Sequence, residues 1–231
     1  MVSPRGDVLA DRLAAVEEAI ERACTAAQRP RESVTLVAIS KFHPPSAIRE
    51  AYELGVRNFG ENYAQDLVRK RAELEASCPE LRWHFTGRVQ RNKAKLLQNV
   101  HLVHGIGSRE QLEAVAHRAG PTDVLLQVNA AGEQQKNGFD PDELRRDLGA
   151  LLEIEGARVR GLMNLPPQDE DEAAVARRFA EVRALRDDLE ERFGVKLPEL
   201  SMGMSGDFPL AIREGATLIR IGTALFGPRP G

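Results

Sequence analysis

The feature that most constrains the fold of this chain is a regular alternation of strand-like and helix-like segments along nearly its whole length. An apolar run rich in β-branched residues at 34–39 predicts a buried parallel strand. Further strands are predicted at 57–60, 81–85, 102–105, 123–128, 159–162, 200–203 and 218–221. About eight strand–helix units in succession predict an α/β fold, a single (β/α)8 TIM barrel.

Helix start signals support this assignment. Ser108 and Asp140 each precede residues typical of a first helical turn. The other helices between the strands are predicted to begin near Pro44, Asn62, Gln90, Asp169 and Phe208. An amphipathic segment at 7–27 predicts an additional helix before the first strand. We therefore expect one domain, 1–231, with its barrel at 34–226.

A doubly wound open sheet is the alternative architecture for such an alternation. That fold more often has a glycine-rich turn directly after its first strand. This chain instead has Ser40-Lys41-Phe42-His43 at that position. The barrel is therefore the preferred prediction.

Composition narrows the class of protein. The chain has 231 residues, 42% of them hydrophobic, which suits one barrel of this kind. A formal net charge of −3 predicts no basic surface, so nucleic acid is not an expected partner. Cys24 and Cys78 have no metal or redox spacing and are expected to be free thiols. With no signal peptide or membrane span predicted, we expect a cytoplasmic monomer.

Two small turns follow the last two predicted strands. Gly203-Met204-Ser205-Gly206 follows the seventh, and Gly222-Thr223 follows the eighth. Phosphate sites in TIM barrels are commonly built from these two loops. Either turn alone is commonplace. As a pair, they predict a phosphate site formed by the Ser205 turn and the Gly222-Thr223 turn.

Two cations accompany these turns. Lys41 closes the first strand and, taken alone, predicts a solvated lysine. Arg220 lies within the apolar eighth strand, where it predicts either an ion pair with a core carboxylate or a cation facing a ligand. Beside a phosphate site, the two cations fit pyridoxal 5'-phosphate (PLP), with Lys41 as its Schiff base and Arg220 at the ring nitrogen. Partial burial and the nearby cation would lower the pKa of Lys41, as attack by a neutral amine requires.

Several segments together resemble the family of pyridoxal phosphate homeostasis proteins. They are residues 37–41, 59–63, 83–87 with Gln90, Asn92 and Lys93, Asn129 with Glu133, Lys136 and Gly138, 161–163, 200–205 and 220–224. The resemblance covers essentially the whole chain. It implies a barrel like that of fold-type III PLP enzymes such as alanine racemase. It also implies a protein that binds, buffers and delivers PLP, with apo PLP-dependent enzymes as candidate recipients, and without established turnover.

The other candidate residues lie at or after strand ends. Asn62 and His84 are each predicted either to hydrogen-bond the ring of PLP or to have a structural role. Met163 joins the predicted cofactor-binding residues, with packing as its expected contribution. Lys136 is either a second amine at the site or a solvated loop lysine. We predict no catalytic residue and no metal ligand.

Two enzyme classes stay open as alternatives. A fold-type III amino-acid racemase or decarboxylase uses the same barrel, but such enzymes carry a second β-domain and a tyrosine acid/base. Here the predicted barrel ends at Phe226, and Tyr63 is the tyrosine near its mouth. A phosphate-sugar enzyme would instead use Lys41 as a clamp or base.

Overall fold

The computed structural model describes residues 4–130, 137–167 and 171–228. Its strands follow the chain in the order β1 Thr35–Ile39, β2 Asn58–Glu61, β3 Arg82–Phe85, β4 Leu102–Ile106, β5 Thr122–Val128, β6 Ala157–Asn164, β7 Glu199–Ser201 and β8 Leu218–Ile221. Every strand is parallel to its neighbours, and β8 pairs with β1 to close the barrel. The predicted fold is confirmed, and each predicted strand end lies within two residues of the observed one.

Helices cover the outside of the barrel. They are α1 Pro4–Ala26, α2 Pro45–Glu53, α3 Ala64–Leu74, α4 Arg109–Ala119, α5 Pro141–Leu152, α6 Glu172–Phe193, α7 Phe208–Arg213 and α8 Thr223–Phe226. The extra helix predicted before the first strand is α1, which packs against α7 and α8. None of the helices in the described part of the chain is long and apolar enough to cross a membrane.

The helix starts predicted near Gln90 and Asp169 have different outcomes. The segment after Gln90 is a 3₁₀ helix, Arg91–Leu97, and not the α-helix that was expected. The start predicted near Asp169 lies outside the described residues. Helix α6 begins at Glu172, where the Asp171 carboxylate accepts a hydrogen bond from the Ala174 amide.

The predicted caps of α4 and α5 are confirmed. The Ser108 hydroxyl oxygen accepts from the amide of Gln111 at the start of α4. Asp140 accepts from two amides of the first turn of α5, while the Glu143 side chain accepts from the Asp140 amide. These caps satisfy amide groups that a helix cannot pair internally. They place each helix directly after its strand and set the length of the connecting loops.

The interior of the barrel is a small apolar core of its own, separate from the larger one beneath the helices. It contains Val37, Leu102, Leu125, Met163 and Leu218, one from each of five strands. Because side chains alternate across a strand, the other inward positions of these and neighbouring strands complete the interior. Several of them are polar, and they form the lower part of the site at the barrel mouth.

Candidate cofactor site

Closure of the barrel brings its first and last strands together. Strand β8 pairs with β1, with Ala38 opposite Ile221, and with β7, with Ser201 opposite Leu218. The carboxyl ends of β7, β8 and β1 therefore lie side by side. The Ser205 turn, the Gly222-Thr223 turn and Lys41, which are distant in sequence, meet at this edge of the barrel mouth.

The turn after β7 has a fixed shape. Gly203 has a φ of +88°, and a Cβ atom there would lie 2.7 Å from the Ala211 Cβ, so glycine is required. The Asp207 carboxylate accepts a hydrogen bond from the Met204 amide at 2.6 Å, which closes the turn. Burial raises the pKa of Asp207, while the Met204 amide and the Arg220 cation oppose that rise. The half-buried Ser205 lies in this constrained turn.

The turn after β8 leaves room beside the first strand. A Cβ atom at Gly222 would lie 3.5 Å from the Ile39 Cβ, an ordinary contact, so the glycine is not needed for packing alone. Thr223 is exposed and begins α8. Among the described residues, neither the Thr223 hydroxyl nor that of Ser205 has a hydrogen-bond partner. Both hydroxyls are therefore available to a ligand.

A buried ion pair outside the barrel holds the peptide that precedes Lys41. The Lys70 ammonium donates to the Ser40 carbonyl at 2.9 Å and to Glu61 Oε1 at 2.6 Å. The Ser40 hydroxyl donates to the same carboxylate oxygen at 2.7 Å. Burial raises the pKa of Glu61, and Lys70 and Ser40 oppose this effect. Sequence reasoning missed Lys70, because a helical lysine is normally solvated.

Lys41 itself is half-buried at the mouth. The residue after it, Phe42, has a φ of +68°, which is uncommon for a non-glycine residue. The His43 amide donates to the Ser40 carbonyl at 3.0 Å and closes this turn. The exposed ring of Phe42 lies 5.8 Å from that of Tyr63, which is also exposed. An aromatic pair therefore borders the mouth beside the lysine.

Asn62 is fixed by the next strand. The Thr86 hydroxyl donates to the Asn62 Oδ1 at 2.9 Å. A Cβ atom at Gly87 would lie 2.0 Å from the Asn62 carbonyl oxygen, so only glycine permits this close approach. The half-buried Asn62 therefore lies at the mouth, with its amide oxygen already engaged.

Arg220 is a buried cation, 4% exposed. It donates to the Ser201 hydroxyl oxygen at 2.7 Å and to the Asn164 carbonyl oxygen at 2.9 Å. No carboxylate among the described residues forms a salt bridge with it. Burial lowers the pKa of Arg220 to about 10, with Asp207 acting in the opposite direction, so it is charged at neutral pH. Of the two sequence alternatives, the core ion pair is not found in the described structure.

Two predicted residues lie deeper than the mouth. Met163 is 1% exposed and packs in the small interior core. His84 is also 1% exposed, and both its ring nitrogens are engaged, with His104 at 2.9 Å and Asn58 at 3.1 Å. Sequence reasoning missed His104 and Ser201. Their signal was a polar residue within an apolar strand, the same signal that identified Arg220.

Glu133 and Lys136 lie outside the described residues. Within the described ranges there is no group of three or more histidine, cysteine, aspartate or glutamate side chains that could hold a metal ion.

The comparisons with known proteins agree with this geometry. The profile of the protein family described as "Alanine racemase, N-terminal domain" matches residues 12–230. The pyridoxal phosphate homeostasis protein of Aquifex aeolicus (strain VF5) is 42% identical over 224 residues, which cover 95% of this chain and 97% of that protein. The chain therefore belongs to the pyridoxal phosphate homeostasis proteins, a family built on the alanine racemase N-terminal domain.

Solved structures support the same conclusion. PipY of Synechococcus elongatus PCC7942, solved without PLP, aligns with a TM-score of 0.84 at 40% identity, over 95% of this chain and 100% of that chain. Its structure with PLP bound aligns with a TM-score of 0.80 at 38% identity and the same coverage. The D-threonine aldolase of Filomicrobium marinum has a TM-score of 0.67 at 17% identity, covering 95% of this chain and 64% of that chain, a likeness of fold alone.

Proposed function

We propose that this chain binds PLP at the barrel mouth and serves PLP homeostasis by holding, buffering and delivering the cofactor in the cytoplasm. The observation that carries the proposal is the buried cation Arg220, which has no described carboxylate partner and lies beneath two turns with available hydroxyls. A neutral ring nitrogen is a suitable acceptor for a guanidinium, and a phosphate suits the turns. The relatives named above, including PipY with PLP bound, support this assignment.

Each predicted group has a distinct part in this site. Ser205, Gly222 and Thr223 would hold the phosphate, and Arg220 would donate to the ring nitrogen. Lys41 would hold the aldehyde of the cofactor through its amine, as a Schiff base. When bound, PLP supplies an aldehyde that exchanges between amines, so this linkage is reversible. A reversible anchor suits a carrier that gives its cofactor to apo PLP-dependent enzymes.

Turnover is the second candidate function. Tyr63 is exposed at the mouth next to Phe42, the residue after Lys41, and is therefore available as an acid/base. An amino-acid racemase would exchange the α-hydrogen of its substrate with solvent. We expect no exchange at turnover rates when the PLP-loaded protein is incubated with L-amino acids in deuterium oxide. Such exchange, if lost in Tyr63→Phe, would establish an enzyme instead.

The covalent anchor is tested by reduction. The protein is saturated with PLP, treated with borohydride and digested, and the modified peptide is identified by mass. We expect a visible absorption band and a reduced adduct on Lys41 in the wild type and in the exposed-lysine control Lys95→Ala. Lys41→Ala should lose the band but keep some PLP through the phosphate contacts. A wild-type protein that remains colourless at saturation would overturn the proposal.

The carrier role is tested by transfer. Loaded protein is mixed with an apo PLP-dependent enzyme, and recovery of that enzyme's activity is timed against release of PLP to a trap. Delivery predicts recovery faster than free release. Recovery limited to the rate of free release would leave a binding protein without a delivery role.

A further inference from the structure

A line of polar side chains crosses the interior of the barrel beneath the proposed PLP site. The Arg220 guanidinium meets Ser201 Oγ at 2.7 Å, and Ser201 Oγ lies 2.8 Å from His104 Nδ1. His104 Nε2 lies 2.9 Å from His84 Nδ1, and His84 Nε2 lies 3.1 Å from Asn58 Oδ1. The line thus begins at the cation below the mouth and ends at the first residue of β2, near the opposite end of the barrel.

The Asn58 oxygen at the far end of the line decides the direction of the hydrogen bonds between the histidines. Arginine only donates, so Ser201 Oγ accepts from it. If the Ser201 hydroxyl then donates to His104 Nδ1, His104 carries its proton on Nε2 and donates to His84 Nδ1. His84 in turn carries its proton on Nε2 and donates to the Asn58 oxygen, which can only accept.

The reverse direction fails at the far end. If His104 Nδ1 donated to Ser201, then His84 Nδ1 would donate to His104 Nε2. His84 Nε2 would then bear a lone pair facing the lone pairs of the Asn58 oxygen, with no proton between them. With Oδ1 of the Asn58 amide facing His84, only one arrangement satisfies all the atoms. It requires the Nε2–H tautomer at both histidines.

Both histidines are neutral in this arrangement. Burial, and then the neighbouring His101 and Arg82, lower the pKa of His84 to about 3. Burial is also the main cause that lowers the pKa of His104 well below its ordinary value, followed by His84, Arg220 and His101. Neutral rings leave Arg220 as the one charged member of the line, and its hydrogen bond to Ser201 is the charge-assisted one.

We propose that Ser201, His104, His84 and Asn58 form a directed hydrogen-bond relay in which Ser201 and His104 are positioning residues for Arg220. This inference rests on the proposed function, because the relay would hold the guanidinium in the orientation that contacts the ring nitrogen of PLP. Ser201 occupies one donor group and the Asn164 carbonyl another. With two directions fixed on opposite nitrogens, the planar guanidinium cannot rotate, and its remaining N–H groups keep one orientation.

The relay itself is tested without PLP. Ring ¹⁵N and ¹H correlations of the cofactor-free wild-type protein at pH 7 report the tautomer of each histidine. We expect Nε2–H and an unprotonated Nδ1 at both His84 and His104, with exposed His117 as a reference ring. An Nδ1–H tautomer at His104 would reverse the hydrogen bond to Ser201 and overturn the directed relay. This measurement needs no variant, so it stands even where a substitution prevents folding.

The positioning role is tested with PLP and with its carbocyclic analogue, in which a ring C–H replaces the ring nitrogen. Ser201→Ala should weaken PLP binding about tenfold, the effect of losing one hydrogen bond to a charged group. Binding of the analogue should be unchanged, because that ligand makes no contact for Arg220 to lose. Ser201→Thr keeps the hydroxyl and should restore PLP affinity.

Two outcomes separate the inference from the proposed function. Equal weakening of PLP and of the analogue would mean that Ser201 is only structural, and the positioning role would be overturned. A wild-type protein that binds neither ligand would overturn the proposed function, while the tautomers would still decide whether the directed relay exists.

Discussion

Two buried cations in this barrel differ in the charge of the groups that they contact. Lys70, 2% exposed and outside the barrel, meets the Glu61 carboxylate at 2.6 Å. Arg220, 4% exposed and inside it, meets only the neutral oxygens of Ser201 and Asn164 among the described residues. A buried charge is costly unless it is paired. The charge of Lys70 is therefore balanced by a carboxylate within the fold. Arg220 has N–H groups and a positive charge that a ligand can still meet.

Breaking the Lys70–Glu61 pair should have the largest effect. Lys70→Met leaves the Glu61 carboxylate buried without its cation, and we expect a loss of about 3–5 kcal/mol of unfolding free energy. Urea unfolding of the cofactor-free protein at pH 7 measures it. The double variant Lys70→Met/Glu61→Leu should recover most of the loss, and the exposed-lysine control Lys95→Met should lose almost nothing. A loss no larger than that of the control would contradict a structural role for the pair.

Removing the other cation should affect binding more than folding. Arg220→Met deletes a charge that has no described carboxylate partner, so we expect unfolding free energy to change by only about 1 kcal/mol. Affinity for PLP should fall roughly tenfold to a hundredfold, the effect of losing a hydrogen bond to a charged group. Equilibrium dialysis and urea unfolding on the same preparation give both numbers. A large loss of stability with unchanged affinity would reverse the assignment of the two cations.

Substitutions in the two phosphate turns should have a smaller effect on PLP affinity. Ser205→Ala and Thr223→Val each remove one hydroxyl without a described partner. Each should weaken PLP binding roughly fivefold to tenfold, as expected for one charge-assisted hydrogen bond. Pyridoxal, which lacks the phosphate, is the control ligand, and its binding should not change. Equal losses for both ligands would place the hydroxyls elsewhere in the site.

The pH dependence of stability gives a graded effect, which no single condition shows in full. Because the folded-state pKa of His84 is about 3, its ring stays neutral while the unfolded chain takes up a proton near pH 6.5. Stability due to His84 is therefore present above that pH and is lost as pH falls, by about 1.4 kcal/mol per pH unit. Urea unfolding from pH 7 to 5, in the wild type and in His84→Gln, measures the difference in slope.

Exposed His117 provides the control for this slope. His117→Gln makes the same exchange at an exposed position, so it reports what the substitution itself does to the slope. A His84 resonance that titrates near pH 6.5 in the folded protein would contradict the account of a neutral relay.

The sequence predicted the barrel because periodicity and β-branched runs report local structure directly. Lys41 and Arg220 were also visible, since a cation beside or within an apolar strand is conspicuous. The Lys70–Glu61 pair was not, because nothing in a helical sequence marks which lysine points inward at a strand end. The relay was missed for a related reason. Whether His84, His104 and Ser201 touch depends on the stagger of β3, β4 and β7, which only the closed barrel determines.

The central claim is that Arg220 donates a hydrogen bond to the ring nitrogen of PLP. A thermodynamic cycle tests it most directly: wild type and Arg220→Met are each titrated with PLP and with the carbocyclic analogue. We expect the wild type to prefer PLP by about tenfold or more and Arg220→Met to bind both ligands equally, since one hydrogen bond to a charged group is at stake. The same preference for PLP in both proteins would contradict the claim.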